Sequence, residues 1–264
     1  MPTATAQKVR VVILAGRRPE GDPVADMFNV EYKAAVRIGE RAMLNRVMDA
    51  IDNSGRVLET FILTQEPGQL SDIEDFVALK ARDDVHFVKS GGSICGSLIN
   101  FLDSYPSDTP TLITTSDHVL LRGEDIRTFL DHQPTDADIS LALVEDQTVL
   151  AEHPTAKRTW LKFAGGAFTT CNLFMLTSPA ARDVLAFWAE VEHDRKRVLR
   201  LAWRFGPFLF IGFLLRLLTL DRAFARASKA LGARIRPVVL QHAHLSIDVD
   251  KPTDVKLAQD LLET

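Results

Sequence analysis

The sequence predicts an α/β protein built on a mostly parallel sheet. Short apolar runs suited to buried strands alternate with segments whose apolar residues recur at helical spacing, and several of those runs end in glycine, serine or aspartate. A hydrophobic content of 46% over 264 residues is enough for a substantial core. Lys8 to Leu14 reads as a buried strand, Ala42 to Ile51 as a helix and Val57 to Thr64 as a second strand, which together make a βαβ unit. Ser71 can cap a helix running to about Ala81, Val85 to Val88 is a short strand, and Ser90-Gly91-Gly92-Ser93 leads into a helix over Ile94 to Leu102. Thr111 to Thr115 is the next strand and ends in Ser116-Asp117-His118. Ligands of such sheets bind outside the carboxyl ends of the strands, where Gly16, Ser90 to Ser93 and Asp117 all fall.

Past Gly123 the pattern changes. A helix is expected near Glu124 to His132, a strand at Ile139 to Val144, extended segments around Thr159 to Ala164 and Thr170 to Leu176, and a helix over Pro179 to Val191 with proline in its first turn. A strand at Ile235 to Leu240 leads to Ile247-Asp248-Val249-Asp250 and a final helix from about Thr253. No internal repeat, low-complexity tract or linker interrupts the chain, so one continuous domain over 1–264 is expected. Between Arg195 and Leu220 a basic flank precedes the apolar run Phe205 to Leu215, which Pro207 and Arg216 break and which falls short of the roughly 20 apolar residues a bilayer span needs. That segment suits a buried or dimer-forming helical element, or one lying on an anionic membrane surface.

A formal net charge of −4 with 25% charged residues excludes the basic excess of a dedicated nucleic-acid binder. The two cysteines, Cys95 and Cys171, form no CxxC pair, and Met1 to Lys8 carries no secretory pattern, so a reducing cytoplasm is expected, with the inner face of the membrane as the alternative setting.

Three places carry candidate chemistry. The strand Val11 to Leu14 runs into Ala15-Gly16-Arg17-Arg18, and Lys33 follows a turn-rich polar loop. A glycine at a strand end admits an anion to backbone N–H groups and fixed cations neutralise it, although ordinary surface cations would read the same way. Asp117, directly after a buried strand, suits a hard divalent ion or a turn. His118 beside it reads as a structural hydrogen-bonder. In Ile247 to Asp250 alternation puts Asp248 and Asp250 on one face; Asp250 or Thr253 could cap the following helix, which leaves Asp248 as the metal candidate.

The run Leu14-Ala15-Gly16-Arg17 through Lys33, the strand end Thr114 to His118, and Ile247-Asp248-Val249-Asp250-Lys251-Pro252-Thr253-Asp254 together resemble the MobA-like nucleotidyltransferases, from about Val11 to Leu262. The resemblance implies a Rossmann-like, three-layer α/β/α sandwich of GT-A type, with a nucleotide-binding half over about 8–122 and an acceptor-binding half over about 123–264. It implies that Ala15, Gly16 and Arg17 lie on the phosphates of a nucleoside triphosphate, that Lys33 is the signature lysine, that Gly91, Gly92 and Ser93 lie near the base and ribose, and that Asp117 and Asp248 hold Mg²⁺. Arg17 stands where many members have a second glycine, and the loop before Lys33 is longer than usual, so Arg18 is an alternative to Arg17 on the attacked phosphate. Asn172, in Thr170 to Phe174, resembles the family's acceptor-side segment; a buried asparagine satisfying backbone is the other reading. The implied reaction is Mg²⁺-dependent transfer of a nucleoside monophosphate, CMP from CTP first and GMP from GTP second, to a phosphorylated alcohol or sugar. A glycosyltransferase using Asp248-Val249-Asp250 as a DxD motif and a non-catalytic nucleotide sensor are the rivals.

Overall fold

The structure, a computed structural model, describes residues 7–17, 20–156, 158–193 and 217–263. In chain order its strands are β1 (Val9–Leu14), β2 (Arg37–Ile38), β3 (Arg41–Ala42), β4 (Val57–Thr64), β5 (Val85–Lys89), β6 (Thr111–Thr115), β7 (Ile139–Glu145), β8 (Leu161–Phe163), β9 (Gly166–Leu176) and β10 (Ile235–Leu240). The helices are α1 (Pro23–Met27), α2 (Met43–Ser54), α3 (Pro67–Ser71), α4 (Val77–Lys80), α5 (Ile94–Ser104), α6 (Gly123–Asp131), α7 (Asp146–Glu152), α8 (Ala180–His193), α9 (Leu220–Leu231) and α10 (Pro252–Leu262). The α/β class with mostly parallel, mixed strand pairing is therefore observed.

Contacts group the chain into two compact units: the residues up to Ser90 with Thr109–Asp131 and those from Ile247 on, and Gly91–Asp108 with His132–Ser246. The final helix thus joins the first unit, a division unlike the sequential halves at 122/123.

In the first unit β1 is central, parallel to β4 on one side and to β6 on the other, and β4 is parallel to β5. Burial on both faces explains why β1 reads as a continuous apolar run: Val9, Val11, Val12 and Ile13 are all fully buried. The helix α2 buries Met43, Leu44, Val47, Met48 and Ile51, the stripe expected of an amphipathic helix, and ends at Gly55, whose φ of 64° is the left-handed conformation that closes helices at low cost. A second apolar cluster packs α10 against the loop that follows β1: Val24, Val36, Ile38, Val119, Ile247, Val249, Val255 and Ala258 are buried together. This cluster holds three sequence-distant segments at the carboxyl edge of the strands.

In the second unit β7 pairs parallel with β10 and antiparallel with β9, which also pairs antiparallel with β8. Asp138, just before β7, ties this unit's strand ends together. Its carboxylate accepts from the Arg234 backbone N–H at 2.7 Å, from Arg234 Nε at 3.0 Å and Nη2 at 2.8 Å, and from Ser178 Oγ at 2.8 Å. The Arg234 side chain, first among these partners, holds the Asp138 carboxyl well below its ordinary range.

Several expectations need correction. Ser71 does not cap a helix to Ala81: it ends the short α3, and a 3₁₀ turn over Glu74–Phe76 precedes α4. The loop before Lys33 is not only turns, because Asp22 caps α1. The hairpin β2–β3, α7 and α9 are elements for which the sequence reading had no expectation. Arg18 and residues 194–216, most of the Arg195 to Leu220 segment, lie outside the described residues.

Because hydrogen bonds to a charged group are worth about 1.5–3 kcal/mol each, Asp138→Asn should destabilise the protein by roughly 2 kcal/mol at pH 7. A carboxyl held low in the folded state stabilises above its unfolded pKa of about 3.9, and that contribution is lost as pH falls. The gap in denaturant midpoint between wild type and variant should therefore be constant above about pH 5 and narrow below about pH 4. Equal midpoints at pH 7 would show that the contact is not structural.

Candidate functional site

The site is built on the strand that ends at Leu14. Ala15 N–H donates to the Leu63 carbonyl at 2.9 Å, which carries the β1–β4 ladder one residue past the strand. Beyond it a side chain takes over from backbone. Gln65, directly after β4, accepts from Arg17 N–H through Oε1 at 2.7 Å and donates through Nε2 to the Arg17 carbonyl at 3.0 Å. The Arg17 guanidinium is bonded to Glu31 and lies over the Tyr32 ring, with Cζ 5.1 Å from its centre. Tyr32 is buried and donates its hydroxyl to Gln69 Oε1 at 3.0 Å, so the far end of the loop is anchored too.

Within this loop Asp22 does two things. Its Oδ1 accepts from Val24 N–H at 2.9 Å and Ala25 N–H at 3.3 Å, capping α1, and Pro23 fits the first turn because it has no N–H to satisfy. Its Oδ2 lies 3.8 Å from Lys33 Nζ. Lys33 opens a short 3₁₀ turn whose Ala34, with Val36 just beyond it, is buried, which fixes the base of the long side chain. Its Nζ then reaches Asp117 Oδ2 at 2.5 Å and Asp250 Oδ1 at 2.9 Å. Burial alone would lower the lysine pKa, but the charges of Asp117 and Asp250 and the hydrogen bonds to them outweigh it, so the pKa is raised and the ammonium is held charged.

Asp117 is itself oriented: Oδ1 accepts from Thr115 Oγ1 at 2.5 Å, and its carbonyl accepts from Val249 N–H at 3.2 Å. That backbone bond pins the segment 247–250 against the end of β6. Ile247 and Val249 are buried in the apolar cluster, so Asp248 and Asp250 fall on the other face, as alternation predicted. From this segment the carboxylate brought to Lys33 is Asp250, for which the sequence offers, as for Thr253, a helix-capping role. The capping carboxylate is instead Asp254, accepting from Asp250 N–H at 3.1 Å and Lys251 N–H at 2.9 Å. His118 is buried, its Nδ1 3.5 Å from Thr114 Oγ1.

A cleft of about 470 Å³ opens beside this cluster, lined among others by Gly16, Arg17, Asp22, Asp26, Glu31, Lys33 and Gln65. Among the described residues both cations that line it face carboxylates, Arg17 that of Glu31 and Lys33 those of Asp22, Asp117 and Asp250. Three carboxylates around one ammonium leave surplus negative charge, and the donors are all oxygen, which is the set a hard divalent ion such as Mg²⁺ takes.

Of the residues singled out in the sequence, Ala15, Gly16, Arg17, Lys33 and Asp117 stand together at this edge, with Asp248 one residue before Val249. Gly91, Gly92 and Ser93 belong to the second unit. There Ser93 Oγ accepts from Gly96 N–H at 3.1 Å to cap α5, and Gly91 N–H donates to Ser97 Oγ at 2.9 Å. Asn172 also lies in the second unit, at a bulge in β9 between the pairs Leu141↔Phe174 and Leu143↔Thr170, with a φ of 49° that is unusual for a non-glycine residue. Asp22, Gln65 and Asp250 are the residues that sequence reasoning missed in this role. An Asp-Pro pair before Val24-Ala25 is a legible signal for Asp22 as a cap, whereas nothing around Gln65 distinguishes it.

No protein-family model matches the chain. No curated protein matches it either. Solved structures do. A hypothetical transferase from Thermus thermophilus superimposes with a TM-score of 0.78 at 28% identity, over 94% of this chain and 100% of that one. CMP:2-keto-3-deoxy-manno-octonic acid synthetase, complexed with CTP, matches with a TM-score of 0.58 at 14% identity, over 97% and 99%. The 4-diphosphocytidyl-2C-methyl-D-erythritol synthase of Anaerococcus prevotii matches with a TM-score of 0.58 at 9% identity, over 98% and 97%. The fold of this chain is thus the one that this transferase, this synthetase and this synthase share.

Proposed function

We propose that the protein is a nucleotidyltransferase that moves a nucleoside monophosphate, CMP in the first instance, from a nucleoside triphosphate to a phosphorylated small alcohol or sugar. The observation that carries the reading is Lys33, held charged between Asp117 and Asp250 beside a cleft that also contains Gly16 and Arg17. The cytidylyl reading is supported by the names of the similar structures, one of them solved with CTP. The MobA-like branch, with guanylyl transfer, is the narrower alternative within the same fold.

In this reading an oxygen of the acceptor phosphate attacks the α-phosphorus in line, the bond from that phosphorus to the bridging β-oxygen breaks, and pyrophosphate leaves with the electron pair. A phosphate monoester is nucleophilic at neutral pH, so no side chain is needed as general base, and catalysis rests on positioning and charge. Lys33 exchanges its carboxylate partners for oxygens of the departing phosphates. Arg17 leaves Glu31, an exposed pair worth only about 0.2–1 kcal/mol, for the attacked phosphate. Asp117 with Asp250 would hold Mg²⁺, and Asp248, the aspartate that the sequence favours for the role, lies on the same face as Asp250. Bound there, the ion would neutralise charge on the triphosphate and on pyrophosphate.

Pyrophosphate release should be seen when one of the four triphosphates is paired with a panel of phosphorylated alcohols and sugars, with CTP the best donor. Nucleoside diphosphate release from a nucleotide sugar would favour a glycosyltransferase instead. Lys33→Ala should lower turnover by about 10²–10³-fold, the scale of one lost charge-stabilising contact, with the fold intact by circular dichroism; normal turnover would remove the assignment. Chelation of divalent ions should abolish turnover reversibly, and Asp117→Asn should raise the Mg²⁺ concentration needed for half-maximal rate. An Asp117→Asn variant with an unchanged metal requirement would exclude it as a ligand.

A further inference from the structure

We infer that Gln65 is a positioning residue for the triphosphate and that position 16 is glycine because of it. The inference rests on the nucleotide reading above and adds a residue that no part of that reading contains.

Three backbone N–H groups, of Ala15, Gly16 and Arg17, stand where the strand meets the cleft. That of Ala15 is spent on the Leu63 carbonyl and that of Arg17 on Gln65 Oε1, while among the described residues the Gly16 N–H has no acceptor. Gln65 uses both ends of its amide on one residue, taking the Arg17 N–H and giving a hydrogen to the Arg17 carbonyl. A side-chain amide so used imitates the next rung of a β-ladder, and it holds the chain extended past the point where β4 stops. Gly16 is thereby gripped on both sides, by backbone at Ala15 and by Gln65 at Arg17, and its N–H is left as the preorganised donor for an anion in the cleft.

The same amide accounts for the glycine. A Cβ added at position 16 would stand 2.9 Å from Gln65 Nε2, closer than real contacts allow, and 3.2 Å from Oε1, a tight contact. The backbone is tied to β4 at Ala15, so the flexible end of Gln65 is what gives way, and it releases Arg17 as it does so. Gly16→Ala and Gln65→Ala therefore remove one and the same device by different routes.

A double-mutant cycle tests this, with Mg²⁺-CTP as probe and Lys33→Ala run alongside. Each single variant should weaken CTP binding about tenfold with a smaller effect on turnover, and the double variant should be no weaker than either single, because two residues acting through one contact are not additive. Independent contributions would multiply to about a hundredfold, and that result overturns the inference. Amide exchange of Arg17 N–H in the nucleotide-free protein is the second arm: protection in wild type should be lost in both single variants, and an equally protected amide in Gln65→Ala overturns the inference as well. Should the wild type bind none of the four triphosphates, the nucleotide reading itself fails, and the exchange arm still decides whether Gln65 holds the loop.

Discussion

The ammonium of Lys33 is the point on which the first unit's carboxyl edge converges. Asp22, Asp117 and Asp250 come from the loop after β1, the end of β6 and the segment before α10, and all three turn a carboxylate toward it. Without a cation between them these carboxylates would repel one another, and without the carboxylates a largely buried lysine would tend to lose its proton. Each side of the arrangement therefore makes the other tenable. The packing beneath is apolar and does not depend on charge: Val24, Ile247 and Val249 share one buried cluster, so the segments are brought close by burial and the polar groups then choose their partners.

That arrangement also says something about the resting cleft. Among the described residues its two lining cations are both engaged, Arg17 in an exposed pair that is weak and Lys33 in a partly buried cluster of carboxylates. A polyanion entering the cleft can take Arg17 at little cost. It takes Lys33 only where the carboxylates find another positive partner, and this is the physical reason that a divalent ion belongs in the proposed mechanism.

Much of the frame was legible beforehand. Strands over Val57–Thr64, Thr111–Thr115 and Ile235–Leu240 are bounded correctly because a mostly apolar run of strand length with turn residues at its ends is a local property. Short elements were not legible. The five residues of α1 and the two-residue strands of β2 and β3 are shorter than any window in which a period can be recognised. Helix capping misled twice: Ser71 has the chemistry of a cap but terminates α3, and Asp250 and Thr253 both suit a cap although Asp254 supplies the capping carboxylate.

The amino-acid sequence by itself determined the α/β class, the parallel strands and the presence of a glycine, a lysine and aspartates at strand ends, because burial pattern and turn chemistry are written in neighbouring residues. Which aspartate meets Lys33 was decided only by the tertiary structure. Alternation puts Asp248 and Asp250 on one face with equal claim, and it is Asp250 that reaches Lys33 once the Val249 N–H bond to the Asp117 carbonyl has brought together residues far apart in the chain. Gln65 makes the same point more sharply. A polar residue after a strand carries no motif, and its meaning comes from lying beside Arg17 once two parallel strands have paired in register.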